Sequence, residues 1–312
     1  MSIIIDLDNN KNNIFQESVI GLGNFDGLHL GHRDIISKVI EISKNKNVKS
    51  SVLIFKQHTN EIFPSFPKYY ITSLNDKIKI LENLGIDIIY LVNFTLEFAK
   101  LDSEEFIFGF IKNKLNVNTL VCGPDYTFGK KDIANTNLLL KYKNEGRIGV
   151  EIVDYVMENC EKISSTLIRE YINNGEVERV KHLITTNYKI SGTVIHGFKI
   201  GSAELGYPTA NISLDFNYII PKEGVYLTYA YHNGKKYVSL TSIGTNPTVT
   251  DNQDIKIEVY ILDFNKRIYG DKLEIEFILR MRDQIKFNTK EELIKCMDND
   301  YKYALKFKNE IK

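Results

Sequence analysis

The chain has 312 residues, with 40 Lys+Arg against 40 Asp+Glu, so its formal net charge is zero. That balance excludes a protein that holds nucleic acid by bulk positive charge, and 43% apolar residues exclude an acidic, solvated, disordered chain. The length suits about two domains, each large enough to bury a core.

In chain order, Ser18 to Phe25 is a short apolar run ending in glycines and reads as a strand. His32 to Ser43 follows as a helix, with Ile35, Ile36, Val39 and Ile40 at helical spacing. Ser50 to Phe55 is a buried-strand candidate. Ser73 to Leu84 is a helix stopped by Gly85, and Ile86 to Val92 is a strand. Ser103 to Leu115 is a helix whose first turn carries Glu104 and Glu105, which suits its dipole. Asn118 to Cys122 is the next strand. Strands alternating with helices imply a parallel sheet.

After about Asn187 the pattern changes to strands and turns. Lys189–Ile195, Gly224–Tyr231, Lys236–Ser242 and Ile255–Leu262 are strand candidates. In the last, Ile255, Ile257, Val259 and Ile261 share one face; Leu273, Ile275, Phe277 and Leu279 do the same further on. Glu258, Glu274 and Glu276 fall on the opposite faces and read as solvated strand carboxylates. Turn signals at Asn233-Gly234 and Tyr269-Gly270-Asp271 separate the strands. The expected architecture is an α/β domain over residues 1–186 and an all-β barrel over residues 187–312, closed by a helix from about Thr289.

Cys122, Cys160 and Cys296 form no CxxC pair, which leaves no disulfide framework or zinc knuckle to expect. The N-terminus lacks the pattern of a secretory signal, and no apolar run reaches the roughly 18 residues that span a bilayer. The expectation is a cytoplasmic protein without a membrane or nucleic-acid partner. Two familiar nucleotide motifs fail. Asp26 stands where G-x-G-x-x-G requires glycine, and Gly123 to Gly129 is one residue too long for a P-loop.

Two other constellations carry chemistry. In Gly23-Asn-Phe-Asp-Gly-Leu-His-Leu-Gly-His32, His29 and His32 lie three apart at a helix start. Free amides and the helix dipole favour an anion there, and Gly27 and Gly31 let a phosphate approach the backbone. Spacing alone serves equally two capping or solvated histidines. In Ile163-Ser-Ser-Thr-Leu-Ile-Arg169, hydroxyls open a second helix and Arg169 lies one turn in from Thr166. That is a triphosphate clamp or an ordinary Ser/Thr cap with a surface arginine.

Together these elements resemble the HxGH and ISSTxIR signatures of the adenylyltransferase module of bacterial bifunctional riboflavin kinase/FAD synthetases. Ile71 to Lys77, Phe94 to Phe98 and Val121 to Lys130 resemble that family too, and the likeness runs over roughly residues 15 to 310. It implies a Rossmann-like nucleotidyltransferase domain that joins FMN to ATP and releases pyrophosphate. By the resemblance, His29 and His32 stabilise the transition state. Ser165, Thr166 and Arg169 hold the β,γ-phosphates, and Gly23, Asn24, Phe25, Asp26 and Gly31 shape the nucleotide site. The family's Asp-Pro-His-Pro is replaced here by Lys56-Gln-His-Thr59, which keeps only His58, a flavin-side residue by the resemblance.

Gly192 to Asn211 resembles the family's riboflavin kinase signature, including Pro208-Thr-Ala-Asn211. Without the resemblance it reads as a Gly/Pro turn with exposed polar residues, although Thr209 and Asn211 would present two hard oxygens to one side of an extended segment. The resemblance implies a six-stranded, Greek-key-like barrel that phosphorylates riboflavin. In it Gly197, Lys199 and Gly201 form an ATP flap, Thr209 and Asn211 bind Mg²⁺, and Glu258 is the general base for the riboflavin 5′-hydroxyl. Arg282 and Phe287 lie near the flavin. The implied ligands are ATP, Mg²⁺, riboflavin, FMN and FAD, taken up by a monomer or weak homo-oligomer. Two other readings stay open on the sequence: a kinase alone with a weakened first module, and a non-catalytic flavin or nucleotide regulator.

Overall fold

The computed structural model describes residues 2–9, 15–56, 69–129, 134–196, 207–245 and 255–310. By contacts the chain divides into two compact units, 1–165 and 166–312. The candidate residues His58, Gly197, Lys199 and Gly201 lie outside the described residues.

The first unit is a parallel sheet with helical connections. Its strands are β1 (Ile3–Asp6), β2 (Ser18–Leu22), β3 (Lys49–Phe55), β4 (Ile88–Val92), β5 (Val117–Cys122) and β6 (Gly149–Ile152). Helices α1 (Leu30–Lys46), α2 (Leu74–Leu84), α3 (Leu96–Ala99) and α4 (Thr136–Asn144) connect them, together with a helical segment at Glu105–Lys114. The spatial order is β1-β4-β3-β2-β5-β6, and every pairing is parallel.

Both faces of this sheet are buried, so its strands read as continuous apolar runs rather than alternating ones. Val19, Val52, Ile89 and Val121 pack towards Ile35, Ile36, Val39 and Leu81 of α1 and α2. Their neighbours Ile20, Leu53, Tyr90 and Leu120 pack on the other face against Phe106, Ile107, Ile111 and Leu139. The caps agree with the sequence. Ser73 caps α2 by accepting from the Asp76 amide, and Gly85 ends it in the left-handed region at φ 90°.

Two expectations change. The strand expected over Ser18–Phe25 ends at Leu22, because Phe25, Gly27 and Leu28 all take positive φ and turn the chain into α1. The helix expected over Ser103–Leu115 spans Glu105–Lys114 and is wound more loosely, with i→i−5 bonds such as Leu115 N–H to the Phe110 carbonyl at 3.1 Å.

A small hairpin, β7 (Met157–Glu158) and β8 (Glu161–Lys162), leads to α5 (Ser165–Asn174) and α6 (Val177–Ile184). The second unit then forms a closed antiparallel barrel from β9 (Lys189–Ile195), β10 (Ala210–Leu214), β11 (Gly224–His232), β12 (Lys235–Thr245), β13 (Ile255–Ile261) and β14 (Lys272–Arg282). Their order around the barrel is β10-β13-β12-β11-β14-β9. The final helix, α7 (Lys290–Glu310), covers one outer face.

Ile257, Val259, Ile261, Leu273, Ile275 and Phe277 are buried as their alternation requires. Leu279 departs from that row. Thr228 pairs with Phe277 but Leu227 pairs with Leu279, so a bulge at Ile278 turns Leu279 outward. There it joins Leu227, Leu240 and Tyr301 under α7. Glu276 also departs from its expected solvated state. It is 8% exposed and accepts hydrogen bonds from the Tyr231 hydroxyl and the Asn187 amide. Asn233 and Gly234, both at positive φ, form the tight β11–β12 turn as expected.

Gly192 is required by packing. A Cβ there would collide with the Ser213 carbonyl and the Ile212 side chain on the paired strand.

Candidate active sites

The first site follows from topology. The chain runs outward from β2 to β3 and β4, then returns to the other side of β2 as β5. The carboxyl ends of β2 and β5 therefore border the switch point at which open parallel sheets bind ligands. The loop after β2 carries Gly23 to His29, and the loop after β5 carries Gly123 to Asp125.

His29 is the N-cap of α1, with its Nδ1 accepting from the His32 amide at 3.4 Å. The two imidazoles stack with centroids 3.7 Å apart, and the His32 ring also meets Phe25 at 5.3 Å. The capping reading is thus realised at His29. Because Nδ1 of His29 is an acceptor, the neutral ring carries its proton on Nε2. Burial drives His29 down to about 4, aided by the positive charge of Lys162 and opposed by Asp125. Burial drives His32 down as well, followed by the charges of His29 and Lys77. Both shifts favour neutral rings at pH 7, which can donate a hydrogen bond but carry no charge.

The rest of the loop is built to hold them. A Cβ on Gly31 would stand 3.3 Å from the His29 ring, so glycine keeps that contact free. The Phe25 ring is fully buried beneath Gly23. Asp26 is fully buried, and its carboxylate accepts from the amides of Ile71 at 3.1 Å and Thr72 at 3.2 Å. Its backbone carbonyl accepts from Ser165 Oγ at 2.9 Å. Asp26 thus ties the loop to neighbouring segments. Asn24 is exposed, with its carbonyl accepting from Lys77 Nζ at 3.4 Å. Thr166 and Arg169 lie three apart on α5, one helical turn from each other.

Three charged residues here went unassigned in the sequence. Lys162 and Asp125 form an ion pair at 2.5 Å, and both act electrostatically on His29. Lys77 is only 5% exposed. A buried lysine looks like any helical lysine in sequence; the apolar residues on either side, Leu74, Ile78 and Leu81, were the available signal.

The second site lies on the outer face of the barrel. Asn211 of β10 pairs directly with Glu258 of β13, which pairs with Ser242 of β12. Directly paired residues project to the same face of a sheet, so these three side chains form one row. Thr209 lies two residues before Asn211, in the segment that leads into β10. Lys256 Nζ holds Glu258 Oε1 at 2.8 Å, and Gln284 Nε2 donates to Ser242 Oγ at 2.8 Å.

Nearby, the Tyr207 hydroxyl donates to Asp298 of α7. Burial, then that carboxylate, pushes the phenol up to about 12. Arg282 grips Asp300 with Nη2–Oδ2 at 2.7 Å and Nε–Oδ2 at 3.0 Å. Phe287 is half-buried in the segment between β14 and α7. Asp300 is 8% exposed, so Arg282→Ala strands a carboxylate and frees α7. We expect a loss of about 2 kcal/mol, below the full cost of a deeply buried pair, read as a lower urea midpoint.

Comparison with known proteins matches both halves. A family model for FAD synthetase matches residues 11–167, and one for riboflavin kinase matches residues 184–308. The bifunctional riboflavin kinase/FMN adenylyltransferase of Listeria monocytogenes is 41% identical over 90% of this chain and 90% of its own length. The chain belongs to the bifunctional riboflavin kinase/FMN adenylyltransferase family. The Bacillus subtilis member is 37% identical over 93% of this chain and 92% of its own.

A crystal structure described as a macrolide-efflux protein from Streptococcus pneumoniae matches with a TM-score of 0.87 and 31% identity, over 97% of this chain and 98% of that one. Among the described residues here, no helix is long and apolar enough to cross a membrane. As a member of its family this chain is a transferase with two enzymatic modules.

Proposed function

We propose that this chain phosphorylates riboflavin to FMN on the outer face of the barrel and adenylylates FMN to FAD at the histidine loop, spending one ATP at each. The activities divide between residues 187–312 and residues 1–186; the riboflavin kinase model begins near that boundary, at residue 184, whereas the FAD synthetase model ends earlier, at residue 167. The observation that carries the reading is the direct pairing of Asn211 with Glu258, which sets a metal-type oxygen donor beside a carboxylate base.

In the kinase step Glu258 accepts the proton of the riboflavin 5′-hydroxyl as that oxygen attacks the γ-phosphorus of ATP. Lys256 orients the carboxylate. Among the described residues no group of three or more His, Cys, Asp or Glu could hold a metal by itself. The site instead suits a magnesium ion brought with the nucleotide, for which Thr209 and Asn211 offer neutral oxygens. Such an ion would neutralise phosphate charge. Arg282 and Phe287 stand on the flavin side.

In the adenylyl step the FMN phosphate attacks the α-phosphorus of ATP and pyrophosphate leaves. His29 and His32 donate hydrogen bonds to phosphate oxygens as charge moves onto them, and Ser165, Thr166 and Arg169 hold the β,γ-phosphates. Gly23, Asn24, Phe25, Asp26 and Gly31 give that loop its shape. We place the protein in the cytoplasm, as a monomer or weak homo-oligomer without nucleic-acid partners.

Incubating the protein with riboflavin, ATP and Mg²⁺ and separating the flavins by chromatography tests the reading. FMN followed by FAD is expected. FMN alone would mean a kinase with an idle first module, and neither product would mean a regulator.

A further inference from the structure

The histidine pair leaves a gap in the electrostatics of the first site. Adenylyl transfer moves negative charge onto the pyrophosphate, yet both rings are buried and neutral at pH 7. Lys162 lies on the His29 side, partly exposed and already joined to Asp125 at 2.5 Å. Lys77 is different. It projects from the second turn of α2, is 5% exposed, and reaches the Asn24 carbonyl at 3.4 Å. Its ammonium also lies over the Tyr70 ring, 5.3 Å from the centroid.

The segment carrying Lys77 is coupled to the loop twice. Asp26 accepts the amides of Ile71 and Thr72 just before α2, and Lys77 returns a hydrogen bond to Asn24. The loop between these contacts and α1 contains three residues at positive φ, Phe25, Gly27 and Leu28, a conformation that must be held by its surroundings. Sequestering an ammonium is costly in free energy, and an α-helical surface position would have avoided the cost.

We propose that Lys77 is a positioning residue for adenylyl transfer: its buried ammonium pins the Asn24 carbonyl, fixes the strained loop that presents His29 and His32, and supplies a fixed positive charge behind them. The inference rests on the assignment of this loop to adenylyl transfer. Lys77 acts through the loop and its field and need not touch substrate.

A charge series separates this from a packing role. Lys77→Gln keeps a hydrogen-bond donor and loses the charge, Lys77→Met loses both, and Lys77→Arg keeps both. In FAD formation from added FMN, the Gln and Met variants should lose tenfold or more in kcat/KM for ATP. The KM for FMN should stay within twofold. Lys77→Arg should recover at least a third of the wild-type value. Riboflavin phosphorylation by the same preparations should be unchanged, which controls for protein quality.

A Gln variant with wild-type kcat/KM overturns the proposal, because charge would then be dispensable. So does a loss that Arg does not relieve, or one seen equally in the kinase assay. His32→Ala is run alongside. If it leaves FAD formation intact, the site assignment itself has failed; if it abolishes FAD formation while Lys77→Gln does not, only the role of Lys77 has failed.

Discussion

Glu258→Gln should reduce riboflavin phosphorylation by about 10³-fold while FAD formation from added FMN continues at its normal rate. The substitution keeps the size of the side chain and its place on β13 between buried Ile257 and Val259. It removes the site proposed to take the hydroxyl proton, together with the negative charge that pairs with Lys256. The 2.8 Å contact with Lys256 sharpens the prediction. Lys256→Met leaves the base present but unrestrained, so a smaller loss, on the order of tenfold, is expected from disorder of the carboxylate. Separate assays of the two half-reactions check both variants. A parallel loss of FAD synthesis in Glu258→Gln would show that the modules do not work independently.

How the fold was legible depends on which interaction dominates each segment. In the barrel, alternation of period two was decisive for Ile257 to Ile261, because one face meets the interior and the other does not, whereas Ile255 at the strand start is 52% exposed. The same rule misplaced Leu279, where a bulge that leaves no mark in composition breaks the period. The parallel sheet was legible from its uninterrupted apolar strands and from Ser73 and Gly85, whose side-chain chemistry fixes the ends of α2. The edge strand β1 went unread, since four residues on a sheet edge carry too little pattern.

Among site residues, the histidine pair was legible because two rare side chains share a helix turn. Glu258 was not distinguishable from Glu274 or Glu276 by pattern; the resemblance singled it out, and the pairing with Asn211 now sets it apart physically. Glu276 has the opposite character, a buried carboxylate held below its usual range by bonds from Tyr231 and Asn187 and by the charge of Lys189, against the cost of burial. Charges that matter through burial, such as Lys77, belong to tertiary structure and leave only a weak signature along the chain, here the apolar neighbours Leu74, Ile78 and Leu81.

The histidine pair gives the other large effect. His32→Ala removes a donor from the proposed anion site and should lower FAD formation by about 10²–10³-fold, with riboflavin phosphorylation retained. The pH dependence follows from the neutrality of the rings. An exposed histidine would lose its proton near 6.5, but His29 does so only near 4 and His32 also lies well below the ordinary value. FAD formation should therefore show no histidine-dependent change between pH 6 and 8, and an acid limb near 6.5 would contradict the burial argument.

The same shift has a stability consequence of definite sign. Between pH 4 and 6.5 the unfolded chain binds a proton at His29 that the folded chain refuses, so stability must fall as the pH is lowered through that window. A displacement from 6.5 to about 4 corresponds to about 3 kcal/mol lost by the acid end from this ring alone. His29→Gln cannot take up the proton. Urea midpoints measured from pH 7 to pH 4 should decline less steeply for His29→Gln than for the wild type, and parallel declines would mean that the ring is not held neutral by the fold.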